Sequence, residues 1–169
     1  MSNAVDHFRE AWRLVDEGKF ERAYESFLRA ADEGDSDAHL AIGSLIESGE
    51  FGWLGASEAE KFYRMAAEKN NASALFNLGL NAINAGDKRG AADLMFKSYL
   101  AGEPEAIFYI LELFEYLDLG VESKKFFERK LEFSLKDGKL SEFIIGKMRE
   151  SPWAKALLAT LGGHSSLTP

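Results

Sequence analysis

Cysteine is absent from all 169 residues, which excludes disulfides, zinc–thiolate centres and thiol nucleophiles together. Proline occurs only three times, so little interrupts long helices. No apolar run approaches the roughly 18 residues that a membrane-spanning helix needs. The opening MSNAVDHFREAW lacks the apolar centre of a secretory signal, and a cytoplasmic location is the resulting expectation. On that expectation Asn71-Ala72-Ser73 matches the glycosylation pattern by chance. Basic residues are outnumbered, and the formal net charge is −8. Duplex nucleic acid and anionic membrane surfaces both call for a basic footprint, so neither is an expected partner. A cationic protein or peptide suits the balance better. The 46% hydrophobic fraction is that of a folded domain with a core rather than of a disordered chain.

What the chain does have is an internal repeat. YESFLRAADEG (24–34), FYRMAAEKN (62–70) and MFKSYLAG (95–102) each run an aromatic-bearing helical segment into small residues and then Gly or Asn. Gly or Asn just past a helix is the usual left-handed stop. A second series, AHLAIGSLIESG (38–49), ASALFNLGLNAINAG (72–86), EAIFYILELFEYLDLG (105–120) and LSEFIIGKMRE (140–150), aligns on Gly43, Gly79, Leu111 and Gly146. These stand 36, 32 and 35 residues apart, and Ala11 stands 32 residues before Gly43. Periods of this length mark stacked helical pairs. The pattern predicts A helices over 4–17, 37–48, 72–85, 104–117 and 139–149, and B helices over 19–33, 57–69, 87–101, 121–136 and 152–161. Ser57 with Glu60 reads as a capping box, and Pro104 and Pro152 as first helical residues. A small residue at the centre of helix A lets helix B cross closely.

These features resemble the Sel-one-like repeat family, a branch of the tetratricopeptide repeats. Residues 38–70 carry the resemblance best: Ala38, Ile42-Gly43, the Gly-rich turn from Gly49 to Gly55, Ala59, Phe62-Tyr63, Ala66-Ala67 and Asn70. Repeats one and three match more loosely. Repeat four departs with Leu111 in place of Gly and Phe127 where a small residue is usual, and repeat five is short, like a terminal cap. The resemblance implies an all-α solenoid, a right-handed superhelix of about five helix–turn–helix repeats. The expected organisation is one repeat domain over 1–161 and a flexible tail, GGHSSLTP, over 162–169. A shared repeat fold does not name a partner.

Motifs for chemistry are missing. His7, His39 and His164 show no metal-ligand spacing, and no H-E-x-x-H occurs. His39 falls at a core-facing slot of helix A. Gly49, Gly52 and Gly55 fit neither G-x-G-x-x-G nor a Walker pattern and read as a structural turn, in which Trp53 is placed to pack over the next repeat or to contact a partner. Glu112 and Glu115 share one helix face, but acid–base work also needs a pocket that shifts one pKa. No enzymatic activity, cofactor or metal is expected.

Charge divides the helix types. Residues 31–60 hold eight acids and no Lys or Arg, residues 103–122 hold six acids and no Lys or Arg, and the A helix at 72–85 has no charge at all. Bases fall mainly in helix B, among them Lys61, Arg64, Lys88, Arg89 and Lys97. In the resembled family the A helices line the concave face. On that frame the middle of the groove is acidic and apolar, and Arg9, Arg13, Lys147 and Arg149 make its ends less so. Three residues before each central position stand Phe8, Leu40, Phe76, Phe108 and Phe143, all large and apolar. Phe76, Leu80 and Ile83 make an extra stripe, and a helix apolar all round is either buried all round or exposes a binding face. Inter-repeat core and groove wall both fit the stripe; for Phe8 the stripe with Trp12 and Val15 favours core. The expected binding residues are Leu40, Ser44, Glu47, Phe76, Asn77, Leu80, Ile83, Phe108, Glu112 and Glu115. Two functions suit them: an adaptor that holds a cationic, apolar-anchored segment, or an acidic immunity or inhibitor protein that masks a basic toxin or nuclease.

Overall fold

The computed structural model describes residues 3–116 and, beyond them, Arg129 and Gly146. Within residues 3–116 seven helices follow one another: α1 (Ala4–Asp16), α2 (Phe20–Asp32), α3 (Ser36–Glu47), α4 (Ala56–Glu68), α5 (Ala72–Asn84), α6 (Lys88–Ala101) and α7 (Ala106–Tyr116). The described residues contain no strand. Residues 117–128, 130–145 and 147–169 lie outside the described part. So do the readings made on them: Phe127, Phe143, Pro152, His164, the last three helices apart from those two residues, and the tail.

Local sequence explains most boundaries. Side chains of Asn3, Asp35, Asn71 and Asp87 cap the starts of α1, α3, α5 and α6, each accepting from an otherwise orphaned backbone N–H. Helices α1 to α6 each stop at a left-handed residue: Gly18, Gly34, Gly49, Asn70, Gly86 and Gly102. Asn70, at φ 60, is the one that carries a side chain, and asparagine tolerates that conformation better than most residues. Two expected caps are corrected. Helix α4 begins at Ala56 with Gly55 as its cap and no side-chain bond, so Ser57 and Glu60 form no capping box; the Glu60 carboxylate accepts from Arg64 instead. Helix α7 begins at Ala106, because Pro104 and Glu105 form a tighter turn whose carbonyls accept from the N–H groups three residues on.

Packing runs from neighbour to neighbour. The pairs α1/α2, α3/α4 and α5/α6 touch most extensively, and α2/α3, α4/α5 and α6/α7 join them less closely. Side chains also tie elements two helices apart. Tyr24 of α2 meets Phe62 of α4 edge to face at 6.2 Å. Asn71 donates to Asp37 at 2.6 Å, Ser73 donates to Glu103 at 3.1 Å, and Phe76 of α5 meets Tyr109 of α7 at 5.3 Å. The pattern is that of an all-helical, repeat-like fold.

Two apolar clusters form the core. The first gathers Leu14, Phe27, Ile42, Phe51 and Tyr63 and reaches Leu78; the second gathers Met95, Phe96, Ile107 and Ile110. Each such side chain contributes roughly 1.5–3 kcal/mol by leaving water. Helix α5 serves both clusters. Leu78 enters the first, while Phe76, Leu80 and Ile83 pack on the second. A helix with apolar neighbours on two sides has little use for charge on them, which accounts for its uncharged sequence.

The central glycines are where the paired helices cross. A Cβ at Gly43 would stand 2.6 Å from the Tyr63 ring, and a Cβ at Gly79 would stand 2.8 Å from Cε of Met95. Each glycine opens a slot in the A-position helix, and a B-position side chain fills it.

Candidate functional site

The residues read from sequence as a binding face sit on α3, α5 and α7, and the structure divides them into two sets. Leu40, Phe76, Leu80, Ile83 and Phe108 are all half-buried and pack against the core clusters. The stripe is therefore inter-repeat packing with an outer side left in water. Phe8 packs on the first cluster, as its stripe with Trp12 and Val15 suggested. Glu47 and Glu112 are exposed, Ser44 and Asn77 are half-buried, and the Glu115 side chain lies outside the described residues.

Ser44, Glu47 and Asn77 are brought together by a residue that the sequence reading did not single out as a site. Tyr63 is fully buried along its ring and passes Gly43 to put its hydroxyl beside α3. That hydroxyl donates to Glu47 Oε2 at 2.7 Å and lies 3.4 Å from Ser44 Oγ, with the Asn77 side chain close by. Burial, joined by the negative Glu47 carboxylate, pushes the phenol pKa up to about 12. The phenol stays protonated and donating at neutral pH, and it orients Glu47 without neutralising it. The sequence signal was present: Tyr63 ends the aromatic pair Phe62-Tyr63, but helical periodicity alone assigns both rings to the core.

Farther along, Ile83, Lys88, Tyr109, Glu112 and Leu113 line a mainly apolar hollow of about 400 Å³. Lys88 corrects the expected charge division. It opens α6, a B-position helix, yet it lines the same hollow as Glu112 of α7. The hollow thus carries one base and one acid around an apolar floor.

The remaining candidates fall elsewhere. His39 is buried, 7% exposed, against Phe62 at 6.1 Å, and its Nδ1 has no hydrogen-bond partner. Burial, helped by Lys69, lowers its pKa. His7 lies 3.6 Å from Glu33. The Trp53 ring meets Phe51 of its own turn and Tyr24 of the preceding pair, where the α3–α4 turn folds Phe51 inward through its N–H bond to the Leu45 carbonyl. Among the described residues no three His, Asp or Glu side chains are grouped so as to hold a metal ion, and no helix is long and apolar enough to cross a membrane.

Compared with known proteins, the chain matches no family model, and no curated protein sequence matches it significantly.

Proposed function

We propose that this chain is a non-catalytic interaction module of the Sel-one-like, tetratricopeptide-like type. On this reading residues 1–161 form a right-handed solenoid of about five repeats in the cytoplasm, with a tail over 162–169. Its A-position helices hold a protein or peptide segment that carries cationic side chains and apolar anchors. One observation carries the reading: α3, α5 and α7 contain no Lys or Arg, and five large apolar side chains on them keep a minor part of their surface in water. Apolar side chains already locked by core contacts lose little freedom when a partner covers them, so their burial goes more fully into affinity. Glu47, held by Tyr63, and Glu112 supply the negative charge along the same helices.

The mechanism assigns different tasks to the two sets. The half-buried Phe76, Leu80, Ile83 and Phe108 anchor, and the carboxylates steer encounter. Once a partner is captured from native cells, binding kinetics test this. Phe108→Ala speeds dissociation, and Glu112→Lys slows association and flattens its dependence on salt. If both variants bind as the wild-type chain does, with unchanged melting curves, the A-helix face is not the site. A captured partner that proves to be a basic toxin or nuclease, inactivated on binding, makes the module an immunity protein using the same face.

A further inference from the structure

Trp53 stands half in water at 49% exposure, in the turn between α3 and α4. It is nevertheless fixed from beneath. Its indole rests on Phe51, with centroids 5.1 Å apart and planes at 39°, and Tyr24 meets it edge-on at 6.3 Å. Phe51 is fully buried and touches Phe27 and Tyr24 in turn. An aromatic surface locked in this way needs little ordering when something lies on it.

Charge indicates what would lie on it. Helix α3 has no base in its last turn and ends on Glu47, although a helix C-terminus favours a cation. Glu50 follows in the turn that carries Trp53. The Ser48 hydroxyl bonds Glu50 and, as the main cause, holds its carboxyl below the usual range. Glu47 is held by the Tyr63 hydroxyl. Both donors are neutral, so neither brings a positive charge to the carboxylate it holds. Residues 31–60 contain no Lys or Arg to offset it. The segment breaks a local electrostatic rule without compensation from its own residues, as functional positions often do.

We propose that Trp53, edged by Tyr24, is a docking ledge for an arginine-bearing segment of a partner protein. The guanidinium lies on the open part of the indole, within roughly 6 Å of the ring centroid, in the field of Glu50 and the α3 C-terminus. The ledge is on the turn edge, outside the A-helix face, and adds a second contact to the cationic partner proposed above.

The test measures binding of a fluorescent octa-arginine peptide to the full chain by anisotropy, at low and at high salt. The wild-type chain binds and loses affinity as salt rises. Trp53→Ala weakens binding about tenfold, Trp53→Phe about two- to threefold, and Leu100→Ala, on the exposed side of α6, leaves it unchanged. The Phe variant keeps an aromatic ring on Phe51, so it carries the test if the Ala variant melts. Wild-type affinity in both Trp53 variants overturns the ledge, as does absence of binding to the wild-type chain or equal binding of octa-glutamate. Weakening by Ile83→Ala alone overturns it too while leaving the A-helix face standing. Self-association that Trp53→Ala abolishes overturns it in favour of a second copy of this chain.

Discussion

The pairs α3/α4 and α5/α6 use one backbone device and fill it with opposite chemistry. In both, a glycine at the centre of the first helix admits a side chain of the second. In α3/α4 that side chain is Tyr63, and the α3 positions around Gly43 are polar: His39, Ser44 and Glu47. In α5/α6 it is Met95, and the corresponding positions around Gly79 are apolar: Leu75, Leu80 and Ile83. The substitutions agree with one another. A phenol brought to a helix face needs acceptors, and a thioether needs none. The flanks then decide what each helix presents, an oriented carboxylate on α3 and an apolar surface on α5. The repeat thus sets where a slot occurs, and the residue that fills it sets the surface above.

The largest expected difference lies at the glycines. Gly43→Ala should cost about 2–3 kcal/mol, because overpacking against a rigid buried ring forces backbone shifts. Gly79→Ala should cost under about 1 kcal/mol, since the Met95 end is flexible and alanine favours the helix. Gly79→Leu should cost about 2–3 kcal/mol, because it exceeds what Met95 can yield. Denaturant melts of the three variants check the order, and equal losses in the two alanine variants would break the contrast.

Removing the polar tie comes next. Tyr63→Phe should cost about 1 kcal/mol through its lost hydrogen bonds. It should also alter the alkaline limb. The Tyr63 pKa rises from 10.0 to about 12 on folding, so its contribution is complete below pH 10 and is lost as pH climbs through about 12. The wild-type chain should lose stability over that window, and the phenylalanine variant should lose less of it. Tyr24, whose pKa burial also raises, leaves a residual slope in both. Met95→Leu should leave the alkaline limb as it is. A Tyr63→Phe chain with an unchanged limb would show that the phenol titrates as it does in the unfolded chain.

The smallest effect belongs to His39, which occupies the place held by Leu75 in the next pair. Its pKa is lowered on folding, so its contribution is present above 6.5 and is lost as pH falls through the depressed value. Melting temperatures followed into mild acid should decline in the wild-type chain and decline less in His39→Leu. Parallel declines would place the acid sensitivity elsewhere.

Helices were the most legible part of the sequence. Gly34, Asn70 and Gly102, read as left-handed stops, are left-handed, and the seven A and B segments within the described residues fell within a few residues of their expected limits. The close crossing at Gly43 and Gly79 was legible too, though what crosses there is a side chain. Directions across turns were not legible. Trp53 meets Tyr24 of the preceding pair and Lys88 lines the hollow that Glu112 also lines, neither of which the sequence showed, because a turn's path depends on contacts distant in sequence, such as Phe51 reaching Phe27. The apolar stripe of Phe76, Leu80 and Ile83 suited core and groove equally, because periodicity reports that a face is apolar and not how far a neighbour covers it. The packing of α5 between two clusters covers most of it and leaves a minor part in water.

The central claim, that the A-helix face of α3, α5 and α7 holds a partner, is tested most directly by site-specific photo-crosslinking in the native cell. One chain carries the crosslinking residue in place of Ile83, on that face, and another in place of the exposed Leu100 of α6. The account predicts one partner captured from position 83 through a Lys- or Arg-rich segment, in a yield that falls with added salt, and little capture of it from position 100. Capture of the same partner from position 100 alone, or equally from both, would contradict it.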